Sequence, residues 1–200
     1  NTILKIGLTG NFYSGYDKVA ELFEEMNIPV FDADLVLKYL VNFSGKHIDK
    51  IKSSLGDDVY SRCLLDTRKF NTNEEFDKLL DIVELDIFKA YEKWRINNYD
   101  SFYTILKSSI LFERKIDKSM NFNISVYKPK NIRKDEIWTK TDMPFTTIDN
   151  ILSNEMNEIG KNEKADYIVH NYINWSQTLK KQIEHINKSL MNKRNIHNKS

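Results

Sequence analysis

The sequence predicts an α/β fold in which helices cover both faces of a parallel sheet. The chain opens with a short apolar run from Ile3 to Leu8, which is typical of a strand buried on both faces. A loop with two glycines follows, and apolar residues between Val19 and Met26 then recur at helical spacing. Four later segments with the composition of strands alternate with helical patterns, which is the order expected of a parallel sheet.

The loop after the first strand, GNFYSGYD, has the glycine spacing of a phosphate-binding loop. That motif requires Gly, four residues, Gly, Lys and then Ser or Thr, because the lysine reaches the phosphates and the hydroxyl holds magnesium. Tyr16 stands at the lysine position and Asp17 at the hydroxyl position. A two-glycine loop is equally compatible with a plain strand-to-helix turn. The candidate loop residues are Gly10, Asn11, Ser14, Gly15, Tyr16 and Asp17.

A second buried strand is predicted within Ile28 to Val36, IPVFDADLV, ending in an Asp-Ala-Asp sequence. The loop, the helix and this Asp-Ala-Asp together resemble dephospho-CoA kinase, a family that uses ATP to phosphorylate the ribose 3′-hydroxyl of dephospho-CoA. The resemblance implies a three-layer P-loop kinase fold with a helical insertion. It also implies that Asp34 is the catalytic base if the protein is active, and that Asp32 belongs to the substrate site.

Composition indicates one globular domain. The chain has 200 residues, 40% of them hydrophobic, and its net charge of +1 gives no general attraction to nucleic acid or membranes. No segment approaches the ~18 apolar residues of a membrane span. The single Cys63 forms no internal disulfide, so we expect a cytoplasmic protein. We expect a domain over residues 1–190, with an insertion at about 45–98, a lid-like segment at about 128–146 and a flexible basic tail over 191–200.

The insertion is predicted to be helical. Helices are expected from Leu35 to Leu40, from Ile48 to Leu55 and through most of Leu64 to Trp94, with Gly56 closing the second and Asn73 capping the third. Their apolar stripes indicate core packing. In the resembled family this region helps to hold the CoA substrate.

A third strand is predicted from Phe102 to Leu106, followed by Lys107. The resembled family has an acidic residue at this strand end, and such a residue helps to place Mg²⁺. A lysine cannot do so, although it could contact phosphate, and we predict a solvated lysine at a strand end. Glu113 matches the Leu-Phe-Glu that follows in the family and is a substrate-site candidate.

A fourth strand is predicted from Phe122 to Tyr127, followed by the lid. In the resembled family a lid helix carries two arginines, four apart, that clamp ATP phosphates, and these positions are Asp135 and Thr139 here. A charged surface helix explains the nearby cations equally well. The lid candidates after a shift of register are Arg133, Lys134 and Lys140.

The last part of the chain is predicted to contain a helix from Thr146 to Ile159, a strand and a helix from Trp175 to Leu190. The strand segment, KADYIVHN, resembles the final strand of the same family and makes Asn171 the adenine-side candidate. The four histidines lack metal-ligand spacing, so no metal site is expected. No Ser-His-Asp constellation is expected either.

Two functions from different classes remain open. One is an active kinase that uses ATP and Mg²⁺. The other is a catalytically inactive pseudokinase, with no cofactor, that acts as a structural or protein-binding subunit. We favour the second because the phosphate and metal groups are replaced. Aromatic residues in the loop and lid predict a protein partner or assembly, although they are equally compatible with side chains that fill the empty cleft within the chain. Nucleic acid is indicated only by the short basic tail. These aromatic residues are Tyr13, Tyr16, Trp138 and Phe145.

Overall fold

The computed structural model describes residues 3–70, 72–172 and 176–197. Its strands are β1 (Leu4–Gly10), β2 (Val30–Asp32), β3 (Tyr60–Ser61), β4 (Leu64–Leu65), β5 (Tyr103–Lys107), β6 (Phe122–Tyr127) and β7 (Tyr167–His170). Its α-helices are α1 (Tyr16–Glu25), α2 (Ala33–Phe43), α3 (Gly45–Leu55), α4 (Asn73–Ile96), α5 (Lys130–Lys140), α6 (Phe145–Asn154), α7 (Glu158–Lys164) and α8 (Ser176–His197). The chain divides into two compact units, one formed by Asn1–Phe31 with Asn98–Ser200 and the other by Asp32–Asn97.

The first unit is built on a five-stranded parallel sheet with helices on both faces, in the order β2-β5-β1-β6-β7. The central strand β1 pairs in parallel with β5 and β6, and β6 pairs in parallel with β7. One face of β1 contributes Ile6 and Leu8 to a core that includes Phe23 of α1 and Ile183 of α8, all fully buried. This confirms the predicted fold class.

The second unit contains α2, α3, the antiparallel hairpin of β3 and β4, and α4. Its buried core is formed by Val41, Ile51, Val59, Leu79 and Val83. It includes most of the predicted helical insertion. Gly56 ends α3 with a φ of 94°, a left-handed conformation that favours glycine.

One predicted strand end and one predicted helix cap are wrong, because side chains cap the helices earlier than expected. The second strand ends at Asp32, whose Oδ1 accepts a hydrogen bond from the Leu35 N–H at 2.9 Å, so Asp34 lies in the first turn of α2. The cap of α4 is Thr72 rather than Asn73, and it forms a reciprocal capping box with Glu75.

Two predicted helices have wrong bounds. The helix predicted from Thr146 to Ile159 is two helices, because Asn157 Oδ1 accepts from the Ile159 N–H at 2.8 Å and starts α7. The last helix continues beyond Leu190 to His197, and Met191 packs against the core. Trp175, the predicted start of that helix, lies outside the described residues. Within the described ranges, no helix combines the length and apolar character needed to cross a membrane.

The structure brings together a Ser-His-Asp chain that the sequence analysis did not predict. Ser44 Oγ lies 2.7 Å from His47 Nδ1, and His47 Nε2 lies 2.8 Å from Asp86 Oδ2. His47 is buried on α3, and Asp86 lies on α4. Ser44 is the residue that precedes α3, three positions before the histidine. The chain of hydrogen bonds therefore ties α3 to α4.

We predict that this tie makes the stability of the protein sensitive to acid. Hydrogen bonds from His47 and then Lys46 lower the pKa of Asp86 below its ordinary value of 3.8. Because the folded pKa is the lower one, the ionised carboxylate stabilises the fold above the ordinary pKa, and this contribution is lost as pH falls through the lowered pKa. Asp86→Asn should lower the urea midpoint at neutral pH and reduce its decline in acid.

The matched control is Asp49→Asn, which changes an exposed carboxylate on α3. It should leave both the urea midpoint and its pH dependence close to those of the wild type. An Asp86→Asn protein with the stability and acid response of the wild type would contradict the stabilising role of the pair.

Candidate phosphate-loop site

The glycine loop between β1 and α1 is held by hydrogen bonds within the chain. Ser14 N–H donates to the Asn11 carbonyl at 2.9 Å, and the Asn171 side-chain amide donates to the Ser14 carbonyl at 2.8 Å. Gly15 has a φ of 86°, and a Cβ there would lie 2.1 Å from Asn171 Nδ2. The predicted adenine-side residue therefore binds the loop and requires a glycine beside it.

The tip of the loop is bound to the segment between α6 and α7. Asn11 Nδ2 donates to the Met156 carbonyl at 2.9 Å, and the Phe12 N–H donates to the Glu155 carboxylate. Tyr13 packs against a small core formed by Ile137, Ile148 and Leu152. Both polar and apolar contacts thus fix this part of the loop.

Two buried polar atoms of the loop have no hydrogen-bond partner among the described residues. They are Asn11 Oδ1 and Ser14 Oγ. The first is an acceptor and cannot bind the oxygens of a phosphate, which are themselves acceptors. The Ser14 hydroxyl could donate, but its oxygen lies over Gly10, where a Cβ would approach it to 2.2 Å.

Lys107 is not the solvated lysine that the sequence predicted. Its side chain is only 8% exposed, and its ammonium forms an ion pair with Asp17 Oδ1. The same nitrogen lies 5.4 Å from the centre of the Tyr16 ring. Asp17 lies in the first turn of α1, where a carboxylate interacts favourably with the helix dipole. The end of β5 is thereby joined to the start of α1.

Arg133, one of the lid candidates, is fully buried and makes four hydrogen bonds within the chain. Its Nη1 donates to the Phe12 carbonyl at 2.7 Å and to Glu155 Oε2 at 2.9 Å. Its Nη2 donates to Glu158 Oε2 at 2.8 Å, and its Nε to the Lys128 carbonyl at 3.1 Å. The arginine therefore connects α5, α7 and the tip of the phosphate loop.

The other two lid candidates also lie near carboxylates of the chain. Lys134 Nζ is 2.6 Å from Asp149 Oδ1 and 4.3 Å from the centre of the Phe145 ring. Lys140, which is more exposed, is 3.8 Å from Glu136. The positions where the resembled family has arginines face solvent: Asp135 and Thr139.

The predicted substrate residues belong to different units of the chain, Glu113 to the first and Asp32 to the second. Glu113 Oε1 lies 2.9 Å from Lys161 Nζ, and the buried Lys161 also donates to the Ser109 carbonyl at 2.8 Å. Asp32 and Asp34 belong to the second unit, where Asp32 caps α2. Sequence reasoning missed Lys161 and both glutamates that bind Arg133, because each meets its partner only through the fold.

Comparison with known proteins identifies what this chain is similar to. A family model described as dephospho-CoA kinase matches residues 4–177. A dephospho-CoA kinase of Pseudoalteromonas translucida is 25% identical over 172 residues, which cover 83% of this chain and 81% of that protein. One from Aquifex aeolicus is 26% identical over 182 residues, covering 88% and 92%.

Solved structures agree on the fold. The TT1252 protein of Thermus thermophilus superposes with a TM-score of 0.77 at 18% identity, over 96% of this chain and 98% of that one. The dephospho-CoA kinase of Campylobacter jejuni superposes with a TM-score of 0.57 at 16% identity, over 93% and 96%.

We predict that the four hydrogen bonds of Arg133 contribute strongly to stability. Arg133→Met leaves Glu155 and Glu158 without their shared cation, and breaking a buried pair in this way costs about 3–5 kcal/mol. Lys134→Met, at the next position, breaks a more exposed pair and should cost less than ~1 kcal/mol. Urea denaturation of both variants gives the two free energies of unfolding. Equal losses would show that Arg133 does not anchor the loop.

Proposed function

The chain belongs to the dephospho-CoA kinase family, and on that premise we propose that it is a catalytically inactive member, a pseudokinase that serves as a structural or protein-binding subunit. The observation that carries this proposal is the buried Arg133. Its guanidinium is committed to Glu155, Glu158 and two backbone carbonyls. A lid cation held in this way is not available to a phosphate group.

The loss of an available lid cation matters because of how phosphoryl transfer is catalysed. The reaction depends on positioning and on neutralising charge around the transferred phosphoryl group, and one arginine of the lid type can contribute ~10³ or more in rate. Here the family's two lid positions are Asp135 and Thr139, and Lys134 is paired with Asp149. The two positions that carry the lid arginines in the family therefore bring no positive charge to a triphosphate here.

The loop supports the same proposal. Tyr16 brings no positive charge to the position where a lysine would reach the β- and γ-phosphates. Asp17 adds a carboxylate at the start of α1, and the Lys107 ammonium is paired with this carboxylate instead of being left for a triphosphate. Lys18 follows on α1 but lies about 200° around the helix from Tyr16, so it does not replace the missing lysine.

A protein-binding role is supported by the lid's exposed aromatic residues. Trp138 and Phe145 are 53% and 45% exposed, and their ring centres lie 5.0 Å apart. Aromatic residues of this kind are enriched where protein interfaces derive most of their affinity. The two loop tyrosines differ, because Tyr13 and Tyr16 pack against cores within the chain.

We predict that the purified protein forms no CoA from dephospho-CoA, ATP and Mg²⁺ above the rate measured without protein. The reason is the combined replacement of the loop lysine, the metal hydroxyl and the lid arginines. Chromatographic detection of CoA measures the rate. The competing function is an active kinase with Asp34 as catalytic base, and it predicts CoA formation.

The controls separate true activity from a contaminating kinase. Asp34→Asn should abolish a reaction catalysed by this chain, whereas Asp49→Asn, on an exposed face of α3, should not. A contaminating enzyme would be indifferent to both changes. CoA formation that is lost only with Asp34→Asn would overturn the proposal and establish the kinase.

A further inference from the structure

The groups at the ends of β5 and α1 do not fit a magnesium ion. In active P-loop enzymes Mg²⁺ is held by the hydroxyl of the loop and by an acidic residue at a strand end. The corresponding positions here are Asp17 and Lys107. Compared with those enzymes, the acidic residue is at the loop position, and a lysine is at the strand end. Across the described residues, no cluster of three or more His, Cys, Asp and Glu side chains could hold a metal ion.

The geometry of the ion pair between Lys107 and Asp17 explains why the site does not fit a divalent cation. The Lys107 ammonium contacts Asp17 Oδ1 directly, and the Lys107 side chain is 8% exposed whereas that of Asp17 is 68% exposed. The Tyr16 ring lies 5.4 Å from the same ammonium and contributes a cation–π contact. A divalent cation approaching Asp17 would therefore meet a fixed positive charge on the far side of the carboxylate.

We infer that the Lys107 ammonium is a built-in replacement for the metal ion. It neutralises Asp17 and joins β5 to the first turn of α1, two tasks that the metal and its ligands perform in an active enzyme. The anion at this position is the chain's own carboxylate. The site is consequently metal-independent: divalent cations neither bind to it nor stabilise it. This inference rests on the proposed function only in assuming that no magnesium nucleotide is processed.

The experiment measures Mn²⁺ binding by electron paramagnetic resonance, with Mn²⁺ as the probe for a magnesium-type site. Wild type should bind no Mn²⁺ tightly, and its melting temperature should not change with Mn²⁺ or with a chelator. Lys107→Asp places two carboxylates where the ion pair was. It should bind Mn²⁺ at least tenfold more tightly than wild type, and Mn²⁺ should raise its melting temperature.

The matched control is Lys134→Asp, because Lys134 is also paired with an aspartate, Asp149, at 2.6 Å. It creates a second pair of carboxylates away from the loop and should gain much less affinity. If Lys107→Asp does not fold, the double variant Asp17→Ser with Lys107→Asp carries the same test, because it restores a hydroxyl and an acid. That variant should also bind Mn²⁺ at least tenfold more tightly than wild type.

Three outcomes would overturn the inference. The first is tight Mn²⁺ binding by wild type, and the second is equal affinity in Lys107→Asp and Lys134→Asp. The third is metal-free stabilisation of wild type by inorganic phosphate that is lost in Lys107→Met, because Lys107 would then serve an external anion. Any of these with no CoA formation would leave the proposed function standing. CoA formation by wild type would remove the proposed function whatever the Mn²⁺ result.

Discussion

A charge removed from water must be paired, and this constraint organises the first unit of the protein. Arg133, Lys107 and Lys161 each lose almost all contact with solvent, and each meets a carboxylate of the same chain. The partners come from distant parts of the sequence: Asp17, Glu113, Glu155 and Glu158. The pairs fasten the phosphate loop, the lid and the loop after β5 with groups that the chain itself supplies.

The same constraint connects the fold to the proposed function. In an enzyme that transfers phosphate, the cationic side chains near the loop and the metal ion together neutralise the negative charge of the substrate phosphates, and catalysis depends on those cations being available to the substrate. In this chain the buried cations are already paired with carboxylates of the chain itself. The fold of the dephospho-CoA kinase family is retained, but retention of a fold does not by itself carry the activity.

Much of the fold could be predicted from sequence because apolar patterns are local. The strand from Phe122 to Tyr127 has the bounds that its composition predicts. The break before α7 was missed because it depends on one side-chain cap at Asn157. The replaced loop residues were visible in the sequence, but the burial of Lys107 was not, because its partner Asp17 lies 90 positions away along the chain. The charge partners of Arg133 could not be predicted for the same reason: they are identified only once α5, α6 and α7 are packed together.

We propose that carboxylates of the chain itself already neutralise the cations that would otherwise bind a nucleotide. Calorimetric titration of wild type with a non-hydrolysable ATP analogue and Mg²⁺ tests it most directly, because binding is measured without requiring turnover. Wild type is expected to show no measurable binding in the micromolar range and no rise in melting temperature with the analogue, since a ligand that binds only the folded state must stabilise it. Micromolar binding that depends on Mg²⁺ would show that the cations near the loop remain available to a nucleotide.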